Sequence, residues 1–401
     1  MKKIYIVNAK RTPIGKFMGS LSTFSPADMA ATVIRELLKE SNVKPEDVNE
    51  VISGNVLSAG QGQGIARQAS IKAGIPNEVP AYGINMVCGS GMKAVINGYN
   101  DIIAGDCDIV IAGGTESMTN SGFITPAAVR SGSKMGHIEM KDHMILDGLT
   151  DAFNNYHMGI TAENIAEKYS ISRQAQDEFA YTSQQKAIKA IDSGKFKDEI
   201  VPVEIVTKKE TIIFNTDEFP NRQSTPEKLA ALKPAFKKDG TVTAGNASGV
   251  NDGASYVLLA SEEAVKRLGL KPMAEIVSTG TGGVAPEVMG LGPVPAIRKA
   301  LKKAALTLKD MDIIELNEAF AAQSLGVIHE LKAEHNVTGD WIAERTNING
   351  GAIALGHPIG ASGNRILVTL LYEMKKEGKK YGLASLCIGG GMGTAIVVKL
   401  V

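Results

Sequence analysis

The chain repeats itself, and that constrains its fold more than any other feature of the sequence. Residues 34–51 lie over residues 297–314 without a gap, which sets Leu38 on Leu301, Val43 on Leu306, Asp47 on Asp310 and Val48 on Met311. Both segments read as helix, break, short charged turn, then apolar strand. Farther along, Asp108-Ile109-Val110-Ile111-Ala112-Gly113-Gly114 resembles Ala384-Ser385-Leu386-Cys387-Ile388-Gly389-Gly390. Chance likeness between ordinary helix–strand units has no reason to preserve their order, whereas a duplication does. Each half alternates strands with amphipathic helices, the pattern of a mainly parallel sheet covered by helices. The expected fold is therefore α/β, with two similar halves at 1–120 plus 250–269 and at 270–401. Between them, 121–249 is more polar and holds His137, His143 and His157. It reads as an insertion from the first half, and connections of that length usually serve as lids or binding elements. The strand 254–260 then returns to the first sheet.

A length of 401 residues calls for two or three packed units. Basic and acidic residues balance at 43 each, with no one-sided cluster of the kind that nucleic acid or a membrane surface attracts. The N-terminal run Ile4-Tyr5-Ile6-Val7 is too short for a signal peptide and reads as a first buried strand. The most apolar stretch, 383–398, is broken by Gly389, Gly390, Gly391 and Gly393 into two strands and a turn, too short for a membrane span. A cytoplasmic location is expected. Three cysteines, Cys88, Cys107 and Cys387, contain no CxxC pair, and their number suits a reducing compartment. The histidines form no HExxH, and neither His137 with His143 nor His329 with His335 falls on one helical face, so no metal site is expected.

Three glycine-punctuated segments carry candidate chemistry. In Asn85-Met86-Val87-Cys88-Gly89-Ser90-Gly91, an apolar stretch runs into Cys88 and a helix pattern follows. The partial positive charge of helix N-terminal amides would favour thiolate there, lowering the thiol pKa from about 8.5. Taken alone, Cys88 reads equally well as a nucleophile or as a packed cysteine in a tight turn. The second segment, from Asn349 to Gly363, places His357 before Pro358 and ahead of a helix expected over 364–376. With an ordinary pKa near 6.5, His357 is a candidate base, although a loop histidine is more often a surface group or a cap. The third, Leu386-Cys387-Ile388-Gly389-Gly390-Gly391-Met392-Gly393, places Cys387 at a strand end. Its glycines would present N–H groups to a developing oxyanion. It lacks the Lys-Ser/Thr of a P-loop, and Gly60-Gln61-Gly62-Gln63-Gly64 has Arg67 where the last glycine of a dinucleotide fingerprint belongs.

Together these segments, with Asn317-Glu318-Ala319-Phe320-Ala321, Tyr156-His157-Met158-Gly159 and 244–249, resemble the thiolase family over essentially the whole chain. The resemblance implies the duplicated thiolase-type fold and a reversible Claisen condensation of two acetyl-CoA molecules. Cys88 would be the acylated nucleophile, His357 its base, and Cys387 the base that ionises the second acetyl-CoA. One oxyanion hole would be His357 with a water held by Asn317; the other, the N–H groups of Cys88 and Gly389. Coenzyme A would be bound by Leu149, His157, Met158, Phe236, Ala244, Gly245, Ser248, Ala319 and Phe320, with Met158 and Met289 bordering the acyl pocket. The family often has an arginine after the proline at Pro220; here Asn221 intervenes, and Arg222 is the substitute. The resemblance further implies no cofactor, because the coenzyme A thioesters are substrates, and a homotetramer with part of 121–147 joining dimers. Cys107 matches no motif. A longer-chain 3-ketoacyl-CoA thiolase is the nearest alternative. A ketoacyl synthase would use two histidines or a His–Asn pair where this chain has Cys387, and a non-catalytic acyl-CoA carrier would lack Cys88, His357 or Cys387.

Overall fold

Strands and helices alternate as the repeat requires. In the computed structural model, which describes residues 2–401, the first half comprises β1 (Ile4–Arg11), α1 (Pro26–Ser41), β2 (Glu50–Gly54), α2 (Ile65–Lys72), β3 (Ala81–Ile84), α3 (Ser90–Ala104) and β4 (Ile109–Ser117). The intervening segment contributes α4 (Met158–Lys168) and α5 (Arg173–Asp192), after which β5 (Asn251–Ser261) rejoins the first sheet. The second half comprises β6 (Ala274–Gly283), α6 (Pro293–Ala304), β7 (Ile313–Leu316), α7 (Ala321–His335), α8 (Ile359–Glu377), β8 (Tyr381–Ile388) and β9 (Met392–Leu400). Ser25 caps α1 through its hydroxyl with Pro26 in the first turn, and Asn42 closes it in the left-handed region.

Strand order is β7-β8-β9-β6-β1-β5-β4-β2-β3, which reads the same way outward from its middle. On each side the first strand of the half pairs with its last, antiparallel, and only the outer strands run parallel, so the sheet is mixed and not mainly parallel as the alternation of strands and helices suggested. Even the irregularities repeat: register shifts once at Ile6/Asn8 against β5 and once at Ile276/Ser278 against β9. Among the described residues, the two half-sheets pair only at Tyr5↔Glu275 and Ile6↔Ala274.

Apolar side chains sort into layers. Helices α1 and α2 cover the outer face of the first half-sheet, and α6 and α7 that of the second. Between the half-sheets lie α3 and α8, whose Met92, Val95, Ile366, Leu370 and Leu371 share one core with strands of both halves. The start of each central helix is pressed against the other. A Cβ on Gly91 would lie 2.9 Å from the Gly360 carbonyl oxygen, and one on Gly363 2.7 Å from the Met92 nitrogen. Only glycine permits that approach, and it brings together the loops that precede the two helices. The helix expected over 364–376 thus starts five residues earlier, at Ile359, directly after the His357-Pro358 pair. Among the described residues, no helix is long and apolar enough to cross a membrane.

Candidate active site

Cys88 stands two residues before α3 in a turn tied together by one hydroxyl. Ser90 Oγ accepts from Met86 N at 2.9 Å and donates to the Val87 carbonyl at 2.6 Å. Val87, a β-branched residue, sits at φ 46°, a conformation that costs of order 1–3 kcal/mol and is retained chiefly where function fixes it. A Cβ on Gly89 would fall 2.2 Å from Ile388 Cδ1, so the glycine lets this turn pack against the Cys387-Ile388-Gly389 segment. The expectation of a lowered thiol pKa is not met. Burial pushes the half-buried Cys88 thiol up to about 11, although the N–H groups of Gly389 and of Cys88 itself pull the other way. The cost of desolvating a thiolate outweighs the helix start.

His357 lies two residues before α8 and is buried. Its backbone N–H donates to Asn251 Oδ1 at 2.8 Å, and Asn251 Nδ2 donates to the Gly15 carbonyl at 3.0 Å. The preceding Gly356 takes φ 105°, where a Cβ would collide with the Asn251 side chain at 2.4 Å. His357 Nδ1 is 2.6 Å from Ser362 Oγ, which lies 2.8 Å from the Pro358 carbonyl oxygen. A carbonyl only accepts, so both contacts are satisfied when Ser362 O–H donates to Pro358 and His357 Nδ1–H donates to Ser362. That tautomer leaves Nε2 as the free lone pair. Burial, then the Arg365 charge, lower the imidazole pKa to about 3, so the ordinary value near 6.5 expected from sequence does not hold. The ring is neutral throughout the physiological range.

Cys387 is the penultimate residue of β8 and is almost wholly buried. Burial, followed by the nearby Cys88 sulfur, drives its pKa well upward against the pull of its own N–H. Charge on the Cys88 sulfur therefore disfavours a second thiolate at Cys387. Asn317 follows β7, with its backbone N–H donating to the Ser385 carbonyl at 3.1 Å. Its carboxamide is buried and neither side-chain atom has a partner among the described residues, an arrangement suited to holding a polar guest.

A cavity of about 320 Å³ joins most of the candidates. Cys88, His357, Cys387 and Gly389 line it, together with Leu149, His157, Met158, Phe236, Ala244, Ser248, Met289, Ala319 and Phe320. Its outer part is aromatic: His157 stacks on Phe236 with centroids 4.5 Å apart, and Phe236 meets Phe320 edge-on at 6.1 Å. Gly159 makes room for that ring, since a Cβ there would sit 2.2 Å from Phe236. Around Cys387 the wall is Met158, Met289, Ala319 and Phe320. Three candidates are not in the lining. Asn317 is outside it, and Gly245 faces Leu229 and Leu232 instead. Arg222 is on the surface, its guanidinium engaged by Asp192 at 3.0 and 2.5 Å. Cys107 is half-buried and remote from the lining, its thiol raised to about 11 by burial and by Glu50, Asp101, Asp106 and Asp108. Sequence reading assigned no role to Asn251 and did not see the steadying hydroxyls of Ser90 and Ser362, although both serines carried a local signal, within a helical turn or so of Cys88 and His357.

Comparison with known proteins identifies the family. Residues 4–263 match the family described as "Thiolase, N-terminal domain" and residues 270–400 the one described as "Thiolase, C-terminal domain". The chain belongs to the thiolase family. It is 56% identical over 400 residues, covering 99% of both chains, to the acetyl-CoA acetyltransferase of Syntrophomonas wolfei subsp. wolfei. Among solved structures, an acetyl-CoA acetyltransferase from Syntrophomonas wolfei superposes with a TM-score of 0.97 at 41% identity, over 100% of each chain. Human mitochondrial 3-ketoacyl-CoA thiolase in complex with CoA superposes with a TM-score of 0.93 at 44% identity, over 100% of this chain and 98% of that one.

Proposed function

We propose that the chain is an acetyl-CoA C-acetyltransferase, condensing two acetyl-CoA molecules reversibly to acetoacetyl-CoA and free coenzyme A. The observation that carries the reading is the convergence of two cysteines and a neutral histidine on one apolar cavity. Cys88 Sγ attacks the thioester carbonyl while His357 Nε2 takes its proton. The carbon–sulfur bond to coenzyme A breaks, and the departing thiolate recovers the proton from His357. A second acetyl-CoA then loses a methyl proton to Cys387, and its carbanion attacks the acetyl carbon on Cys88. Cys387 acts as its thiolate, having first passed its own proton to His357 Nε2. The bond to Cys88 then breaks and leaves a thiolate that takes this proton from His357, so both cysteines and the imidazole return to their starting state. A pKa kept high by burial makes Cys387, once ionised, a strong base for a carbon acid.

Both half-reactions place negative charge on a thioester oxygen. The N–H groups of Cys88 and Gly389, already aimed at the Cys88 sulfur, serve one oxygen. His357 with a water on Asn317 serves the other, in keeping with that carboxamide's unpartnered atoms. The pantetheine arm lies along Leu149, Ala244 and Ser248 toward the His157–Phe236 stack, with 121–249 acting as the coenzyme A-binding insertion between halves 1–120 with 250–269 and 270–401. The protein acts in the cytoplasm as a homotetramer. Support for the assembly comes from Phe123, Met135, Ile138 and Met140, apolar side chains left exposed within 121–147.

Substrate length gives the test. Met158 and Met289 close the cavity beside Cys387. One extra methylene in such a pocket is worth about 1–3 kcal/mol, so discrimination is graded. Thiolysis of acetoacetyl-CoA is expected to be fast and that of six-carbon or longer 3-ketoacyl-CoA slow, with Met289→Ala relaxing the limit. Equal rates across chain lengths in the unmodified enzyme would instead make it a degradative, longer-chain 3-ketoacyl-CoA thiolase.

A further inference from the structure

Behind the reacting loops the two halves meet almost without side chains. A Cβ on Gly54 would lie 2.5 Å from the Ser90 carbonyl carbon, and one on Gly114 2.0 Å from the Gly360 carbonyl oxygen. The ends of β2 and β4 and the first turns of α3 and α8 therefore touch backbone to backbone. One ionisable side chain enters this junction: Glu116, fully buried near the end of β4. Its Oε1 accepts from Asn55 Nδ2 at 2.9 Å and Leu57 N at 3.1 Å; its Oε2 accepts from Val56 N at 3.0 Å and Gly360 N at 2.9 Å. Three donors belong to the first half. The fourth, Gly360, belongs to the second and follows His357 within the same loop and helix start.

We propose that Glu116 is a positioning residue, whose carboxylate fixes the first turn of α8, and with it the His357 loop, in register with the turn that bears Cys88. The inference rests on the reading of Cys88 and His357 as the acyl-transfer pair. All four groups around the carboxylate are donors, so an amide would turn its NH₂ against two of them. The charged groups facing it are few. Asp252 on β5, held by Thr119 N and Oγ1, repels it, and the Cys88 sulfur feels its charge. Burial is the main cause that raises the Glu116 pKa, to about 7, against the N–H groups of Leu57, Val56 and Gly360. A displacement of about 1 Å at such a pair costs on the order of 10²-fold in rate.

The test uses Glu116→Gln, which removes the charge, and Glu116→Asp, which keeps it but shortens the reach. Turnover in acetoacetyl-CoA thiolysis is measured per site titrated by the acyl-enzyme burst, beside KM and Cys88 alkylation by iodoacetamide against pH. In both variants kcat should fall about 10- to 100-fold with KM within about threefold. Only Glu116→Gln should move the alkylation profile to lower pH, because the charge that raises the Cys88 pKa is gone. A kcat within about twofold of the unmodified enzyme in either variant, or a loss confined to the melting temperature with turnover per site intact, would overturn the assignment. Should Glu116→Gln not fold, Glu116→Asp carries the kinetic arm alone. An unmodified enzyme inert toward acetoacetyl-CoA would sink the functional reading itself. An alkylation profile unmoved by Glu116→Gln, measured without that reaction, would sink the juxtaposition of Glu116 with Cys88.

Discussion

The turns into the two central helices occupy the same station of the duplicated fold and have been put to different uses. Before α3 the station holds Cys88, preceded by Val87 at φ 46°; before α8 it holds His357, preceded by Gly356 at φ 105°. Both turns place a left-handed residue just ahead of the reactive one, and both are steadied by a serine hydroxyl, Ser90 in one and Ser362 in the other. Burial acts on both residues but with opposite consequences, because it always opposes the charged form. It keeps a proton on Cys88 and keeps one off His357. Two copies of one supersecondary unit, facing each other, thus become a proton donor and a proton acceptor. In the mechanism proposed above, the first half supplies the atom that is acylated, and the second supplies the groups that handle protons.

That division can be broken most decisively at the cysteines. Cys88→Ala is expected to stop both acyl transfer and condensation, by roughly 10⁴-fold or more. Cys387→Ala should abolish only carbon–carbon bond formation, leaving an acetyl group that peptide mass mapping finds on Cys88. Condensation at near-normal rate in Cys387→Ala would move the carbon base elsewhere, with His357 next in line. A smaller loss sharpens the role of the second half: Asn317→Ala should lower kcat by about 10²–10³ while leaving KM nearly unchanged, as for removal of one oxyanion donor. A raised KM at normal kcat would make Asn317 a ground-state binding group.

The smallest effect concerns stability and has opposite signs at the two stations. As pH falls from 6.5 toward about 3, unfolded chains gain a proton on His357 that the folded protein refuses, so stability declines. As pH rises from 9 toward about 11, the folded protein keeps a Cys88 proton that unfolded chains have released, and stability declines again. Cys387 adds to that alkaline decline in the same direction. Denaturant titrations across pH should therefore show His357→Gln flattening the acid limb and Cys88→Ala the alkaline limb. A change on the wrong limb would contradict the assigned protonation states.

Local sequence carried a great deal of this architecture. The match of 34–51 to 297–314 located an outer helix, a turn and a parallel strand in each half, and these became α1 with β2 and α6 with β7. The glycines of 389–393 marked the β8–β9 hairpin, and Cys88, His357 and Cys387 stood out because glycine-rich turns surround them. What could not be read was what distant segments do to those residues. Asn251, which holds the His357 backbone, is 106 positions away. The upward shift of the Cys88 pKa comes from burial by walls contributed from both halves, which no local window contains. Arg222 shows the same limit: its ion pair is with Asp192, 30 positions earlier on α5, a contact no local window contains.

Because β5 lies between β1 and β4, the first sheet cannot close until residues 251–261 have left the ribosome. At about 5–20 residues per second, the wait after β4 is made lasts on the order of ten to thirty seconds. Throughout that interval β1 and β4 each present an open edge, and the inner face of the half-sheet, covered in part by α3, stays incomplete longer still, until α8 emerges. The nascent chain is therefore most vulnerable to aggregation at mid-length, and a release or stall between residues 120 and 250 is more hazardous than one after residue 377.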